Sequence, residues 1–356
     1  MPDATERCSV AVIGGGVIGS TVAWQLAENG YRVTLFSEPA VEHSTTWVAG
    51  GMIAPWSEAW PGEGALLDLS LASMRAWPRF AARLEENGHE VITARGSLAI
   101  AADDGDVADL HRVMAWLEQR GEPVAPLSRR EARALEPGLA PSMRPVFQVN
   151  DEIAVDNRAT LLALRDRAAA AGAILVERRI NDLASLPQDQ IVVAAGPWTS
   201  ELLPELRVRP VKGEIMRLAR RSFSAPPPRS IVRGWVRGRH VYLVPRPDGM
   251  VVGATQHEAG FDTTVTAGGI RDLLADAEAV FPGIADYAIT DMSAGLRPVT
   301  PDNIPLIGRV DDRTLVAAGH GRNGMLLAPL TGSAILAELD GQPLAEAAAA
   351  HPRRFA

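Results

Sequence analysis

The run Gly14-Gly15-Gly16-Val17-Ile18-Gly19 has the spacing G-x-G-x-x-G. In such a run the first glycine permits a tight turn and the second lets backbone approach a pyrophosphate. The third lets a helix pack closely on a strand. The anion then rests on the helix N-terminus, where unpaired N–H groups and the helix dipole favour negative charge. The chemistry implied is recognition of a dinucleotide, nicotinamide or flavin alike. Two other reactive side chains are singular: Lys212 is the one lysine and Cys8 the one cysteine. A Schiff base would have to run through Lys212. One cysteine allows no intrachain disulfide. It also excludes zinc sites built from four cysteines, or from two cysteines and two histidines, and no metal centre is expected. A borrowed organic cofactor is the better source of reactivity.

The fingerprint can work only between a strand and a helix. Ser9–Ile13 is a short apolar, β-branched run, Ser20–Asn29 has helical spacing with Gly30 as its C-cap, and Tyr31–Phe36 is a second strand. This is a βαβ unit. An acid is expected at the end of its second strand, to bind ribose hydroxyls. Here Ser37 stands there, with Glu38 one place later. No basic residue follows closely, so a 2′-phosphate is not suggested.

Further along, Asp156 reads as the N-cap of a helix that runs to Ala171 and stops at Gly172, followed by a strand at Ala173–Val176. Leu110–Arg120 has helical spacing, and Ile191–Ala195 is an apolar strand ending in Gly196. From Ile215 to Gly253 the pattern turns to strands, including His240–Val244 and Met250–Val252. A strand at Leu315–Ala318 and a helix at Pro329–Leu339 close the chain, and Glu58–Gly64 and Ser224–Arg229 read as loops.

At 356 residues the chain suggests two domains. Its 47% hydrophobic and 22% charged residues exclude a disordered or coiled-coil protein. A net charge of −8 gives no electrostatic footprint for nucleic acid or an anionic membrane. No apolar run approaches the roughly 18 residues of a membrane span, and Met1–Arg7 lacks the pattern of a signal peptide. The expectation is a cytoplasmic protein with no nucleic-acid or membrane partner.

Three segments select flavin over nicotinamide. Ser44–Pro55 is polar, then Gly-rich, and offers backbone N–H groups to a flat extended ligand. Ile191–Trp198 ends a strand in small residues. Gly319-His-Gly-Arg-Asn-Gly-Met-Leu-Leu-Ala-Pro329 aims a second helix N-terminus at a ligand. To these are added Pro-Val-Lys-Gly-Glu at 210–214, Tyr-Leu-Val-Pro-Arg at 242–246, Val-Val-Gly-Ala-Thr at 251–255 and Gly-Leu-Arg-Pro at 295–298. In this order, over essentially the whole chain, they resemble the FAD-dependent amine oxidases of the D-amino-acid oxidase and glycine oxidase family. They are most similar to the thiamine-pathway type of glycine oxidase.

The resemblance implies an α/β fold: a glutathione-reductase-like Rossmann FAD domain interleaved with a substrate domain built on an antiparallel sheet. The FAD domain would take residues 1–80, 145–208 and 293–356, and the substrate domain 81–144 and 209–292. FAD would be held by Gly14, Gly16, Val17, Ile18, Gly19, Ser37, Glu38, Thr45, Thr46, Gly50, Gly51, Met52, Ala195, Gly196 and the run His320, Gly321, Arg322, Asn323, Gly324, Met325, Leu326. Some relatives bind flavin covalently through a cysteine, but Gly295 stands at the matching place, so the FAD is expected to be non-covalent. Lys212 would lie where the chain crosses into the substrate sheet, with Gly213 allowing the turn.

A carboxylate substrate suits the two-pronged donor geometry of arginine. The resemblance gives that role to Arg297, with Tyr242 adding a hydroxyl, Arg322 at the edge of the site and Gln256 near the flavin. His240 shares a strand face with Tyr242 and either lines the pocket or is structural. The implied reaction is oxidative deamination of glycine or a small N-substituted glycine, giving glyoxylate, ammonia or an amine, and hydrogen peroxide from molecular oxygen. The alternatives are cleavage of a larger N-carboxymethyl amine, or a D-amino-acid or sarcosine dehydrogenase with another acceptor. The family also suggests a homo-oligomer.

Overall fold

Apolar runs from both ends of the chain meet in one sheet. The computed structural model describes residues 7–39, 42, 44–86 and 88–355, so most of the Met1–Arg7 segment lies outside the described residues. Six strands, β1 (Ser9–Ile13), β2 (Arg32–Ser37), β7 (Ile174–Glu177), β8 (Gln190–Val193), β14 (Leu306–Arg309) and β15 (Thr314–Ala318), form a sheet of order β14-β15-β8-β1-β2-β7. All its pairs are parallel except β14–β15. The central strands β1, β8 and β15 are apolar after their first residue because helices or loops cover both faces. On one face the helix Val17–Glu28 packs between the helices Asn157–Ala170 and Gly324–Leu339.

The second sheet has nine strands. They are β3 (Met52–Ile53), β4 (Ile92–Ala101), β5 (Ala125–Pro126), β6 (Arg144–Val155), β9 (Arg209–Ala219), β10 (Ile231–Val236), β11 (Arg239–Arg246), β12 (Gly249–Gly253) and β13 (Ala288–Val299). Their order is β13-β9-β12-β11-β10-β4-β6-β3, with β5 added beside β6. Pairing is antiparallel apart from β10–β4. The helix Ala267–Val280 and Phe281 cover one face. β6 stays in the nine-stranded sheet to Val155 and β13 to Val299.

Several local signals behave as their chemistry dictates. The Asp156 side chain accepts from the Arg158 and Ala159 N–H groups and caps its helix. Gly30 and Gly172 adopt φ of 85° and 95° at helix ends. Three expectations need correction. The first helix starts at Val17, directly on the glycine turn. The last helix starts at Gly324, with Pro329 inside it. That proline donates no hydrogen bond to the Met325 carbonyl; in the same turn the Leu326 carbonyl accepts from Ser73 Oγ at 2.7 Å and Trp77 Nε1 at 2.9 Å, and the Leu330 N–H donates to Ser73 Oγ at 3.3 Å. Gly213 makes no turn: it lies inside β9, paired with Gly295 of β13.

Lys212 points to the other side of β9 and is 2% exposed. Its ammonium donates to Asp262 at 2.9 Å and to the Thr264 carbonyl, and it lies 3.6 Å from the fully buried Glu214 carboxylate. Glu214 in turn accepts from the Thr266 N–H. One cation thus tethers the segment 255–266 to the sheet. Lys212→Met is expected to lower the unfolding free energy by about 3 kcal/mol, the cost of breaking a buried pair. Denaturant titration of both proteins measures it.

Candidate active site

A cavity of about 1140 Å³ lies where the two sheets meet. The six-stranded sheet supplies its dinucleotide side. Gly14, at φ 113°, and Gly16, Val17 and Ile18 line it below β1. A Cβ on Gly14 would run into the Ala194 carbonyl. The helix Val17–Glu28 has no side-chain cap and no acid in its first turn, and the same is true of Gly324–Leu339, whose N-cap is Asn323. Two helix N-termini therefore open on one cavity without an N-cap side chain, although Thr46 takes the first N–H of the helix Val17–Glu28. Ala195, Gly196 and the run His320 to Met325 complete this side. Gly19 and Leu326 do not line it. Gly19 lies against the Gly14 carbonyl, where any Cβ would collide, and Leu326 is buried in the helical core.

At the end of β2, Ser37 and Glu38 line the cavity as expected. They are not alone. Arg165, Arg178 and Arg179 reach the same corner from the helix Asn157–Ala170 and from beyond β7. Arg165 lies 3.4 Å from Ser37 Oγ and Arg179 pairs with Glu38 at 2.7 Å. Sequence reading found no basic residue here because these arginines lie more than a hundred positions away along the chain.

The segment Thr45–Met52 also lines the cavity. Thr46 Oγ1 accepts from the Val17 N–H at 2.9 Å, and Thr45 Oγ1 donates to the Leu296 carbonyl at 2.6 Å. Asn157, fully buried, donates to the Thr46 and Trp47 carbonyls. Its oxygen accepts from Arg217 at 3.0 Å and Arg246 at 3.3 Å, and Arg246 also holds the Gly50 carbonyl. Burial and the charges of Arg158 and Arg246 lower the Arg217 pKa to about 10. These buried supports carry no local sequence signal.

The nine-stranded sheet supplies the opposite wall. Register sets Arg233 of β10, Tyr242 of β11 and Gly253 of β12 side by side. A Cβ on Gly253 would collide with the Tyr242 hydroxyl, and one on Gly50 would lie 2.9 Å from it. Glycine at both positions makes room for the phenol. Arg297 lies over Gly213, where a Cβ would be 2.5 Å from the guanidinium nitrogens, and Nη1 donates to the Thr255 carbonyl at 3.1 Å. Among the described residues no carboxylate pairs with Arg297. Burial lowers its pKa and raises that of Tyr242, an effect the Arg297 charge opposes. His240 and Gln256 line the same cavity. His240 stacks on Trp60 at 5.5 Å; the loss of hydration and the Arg233 charge lower its pKa to about 4. Arg322 is less free than expected, bound to Glu63 at 2.5 Å and to the Glu58 carbonyl at 3.0 Å. The loop Glu58–Gly64 adds an ion pair between Glu58 and Arg233 at 3.0 Å, and the Trp60 ring. Among the described residues no cluster of His, Cys, Asp or Glu could hold a metal.

Residues 9–339 match the profile of the DAO family, described as FAD-dependent oxidoreductases. The chain belongs to that family. It is 32% identical to a glycine oxidase of Geobacillus kaustophilus, covering 92% of both chains. It is 33% identical to a bifunctional ThiO/ThiG protein of Synechocystis, over 92% of this chain and 50% of that one. The crystal structure of glycine oxidase from G. kaustophilus superposes with a TM-score of 0.89 at 30% identity, over 98% of this chain and 99% of that one.

The cavity of this FAD-dependent oxidoreductase fits its cofactor. Two helix N-termini without a capping side chain, bare glycine backbone and a corner lined by arginines and glutamates suit a ligand that is anionic at its centre and flat at its ends. Cys8 is not part of the cavity. Neither is Lys212, so no ammonium side chain stands in it. No helix among the described residues is long and apolar enough to cross a membrane.

Two outcomes follow from this geometry. Gly213→Ala pushes the flexible guanidinium aside rather than the backbone. The KM for a carboxylate substrate should rise about 10- to 100-fold, the worth of a charged hydrogen bond, with thermal stability close to wild type. Steady-state kinetics and a melting curve decide it. His320 is 2% exposed, pairs with Thr331 at 2.9 Å, and burial lowers its pKa from 6.5 to about 3. Its neutral form supports the fold fully above pH 6.5. As pH falls from there towards 3, the unfolded chain takes up a proton that the folded one refuses, and stability drops by up to about 1.4 kcal/mol per pH unit. Denaturation between pH 7 and 4 should show a shallower decline in His320→Asn.

Proposed function

We propose that this oxidoreductase oxidises glycine or a small N-substituted glycine to its imine, which water hydrolyses to glyoxylate and ammonia or an amine, the two electrons passing to molecular oxygen as hydrogen peroxide. The observation that carries this reading is Arg297, a half-buried guanidinium on the cavity wall without a carboxylate partner among the described residues, seated over Gly213 beside Tyr242. An unpaired cation facing a cavity in this way is a site for an anion. The names of the relatives, glycine oxidases and ThiO proteins, point the same way.

In this reading Gly14, Gly16, Val17 and Ile18 hold the FAD pyrophosphate, and Ser37 and Glu38 the ribose. Thr45, Thr46, Gly50–Met52, Ala195, Gly196 and His320–Met325 surround the rest. When bound, FAD supplies the two-electron acceptor for a hydride from the substrate α-carbon. The protein's part is positioning. Arg297 and the Tyr242 hydroxyl fix the carboxylate, which leaves the substrate's α C–H and amine facing into the cavity. Gln256 and His240 border the amine side. His240 is uncharged at neutral pH, so it adds no repulsion towards a substrate ammonium.

A second reading, a dehydrogenase with another acceptor, is favoured by one observation: the lone ammonium, Lys212, is tied to Asp262 and the Thr264 carbonyl away from the cavity. Peroxide release and dye reduction, measured side by side on glycine, sarcosine, N-alkylglycines and D-amino acids, separate the two. Arg297→Ala should lower kcat/KM by several orders of magnitude while retaining flavin absorbance. A mild effect would sink the assignment.

A further inference from the structure

We propose that the cavity accepts secondary amines whose N-substituent is aromatic, and that Trp60, stacked on His240, supplies the ring surface against which that substituent lies. The proposal rests on the reading that Arg297 and Tyr242 hold the substrate carboxylate. His240 and Tyr242 are two residues apart on β11 and both line the cavity. Two strand residues span about 7 Å. A group attached to the nitrogen of a glycine anchored at Tyr242 therefore reaches the level of His240. There it meets an aromatic wall, in which Trp60 and His240 are stacked with their planes 27° apart and Trp235 packs against His240 at 4.9 Å.

The charge balance of that wall selects what lies on it. Arg233 is paired with Glu58 at 3.0 Å, with its guanidinium 5.4 Å from the Trp235 ring centre. Arg322 is paired with Glu63. Each of these two cations near the wall is already met by a carboxylate, and Gln256 is neutral. A second carboxylate on the substrate, as in iminodiacetate, finds no free cation on the wall, and a cationic substituent finds no free anion there. An aromatic group gains stacking and apolar burial without displacing an ion pair. Nothing in the sequence motifs required this, because Trp60 lies in a segment that reads only as a Pro/Gly loop.

The test compares holoenzyme turnover of sarcosine, N-benzylglycine and iminodiacetate, for wild type, Trp60→Ala and Trp60→Phe. N-benzylglycine should exceed iminodiacetate in kcat/KM by at least about tenfold, the scale of one aromatic contact. In Trp60→Ala the ratio of N-benzylglycine to sarcosine kcat/KM should fall about tenfold, and Trp60→Phe should restore most of it. Iminodiacetate turned over as well as N-benzylglycine, or a ratio unmoved by both variants, overturns the proposal and leaves the parent reading intact. Failure to oxidise any of the three overturns the parent reading, and this one with it.

Discussion

A guanidinium partly withdrawn from water without a counterion costs free energy, and the surroundings of Arg297 are organised around that cost. The antiparallel register of β9 and β13 sets Gly213 opposite Gly295, and the absent side chain at 213 leaves the space the guanidinium fills. The Thr255 carbonyl takes one of its protons. The remaining donors are left for whatever enters the cavity. One glycine and a carbonyl hold the cation in place without neutralising it. A carboxylate in their position would have stabilised the fold and left nothing for a substrate to pair with.

The same economy of side chains runs through the other walls. Tyr242 has its place because Gly50 and Gly253 carry no Cβ. The dinucleotide side is bare backbone at Gly14 and Gly16, stiffened from behind rather than from within. Thr46 braces the first helix, Asn157 grips two carbonyls of the Thr45–Met52 segment, and Arg217 and Arg246 grip Asn157. Rigid supports outside the cavity let its lining stay small.

What was legible in the sequence follows from how local each signal is. The βαβ unit, the Asp156 cap and the glycine stops depend on neighbours in the chain, and they appear within a few residues of where spacing put them. The cavity residues named from motifs also lie together, except Gly19 and Leu326, which sit just behind the surface they were expected to form. Hidden from the sequence was everything set by pairing across the fold. Arg179 meets Glu38 only because β7 lies beside β2, and Arg165 meets Ser37 from the helix Asn157–Ala170. Arg233 meets Glu58, and Trp60 meets His240, only once β10 and β11 are in register. Gly213 looked like a turn because glycine's commonest use is conformational; here its use is emptiness.

The position of Lys212 bears on how this protein meets reactive chemicals. All its other basic side chains apart from histidine are guanidinium groups, and its one ammonium is buried and ion-paired. Carbamylation, glycation, acetylation and amine-directed crosslinking therefore find no exposed lysine side chain to attack. An enzyme whose proposed product, glyoxylate, is itself an aldehyde that condenses with amines would gain from a surface of that kind. Its cations would keep their charge and their ion pairs through many turnovers.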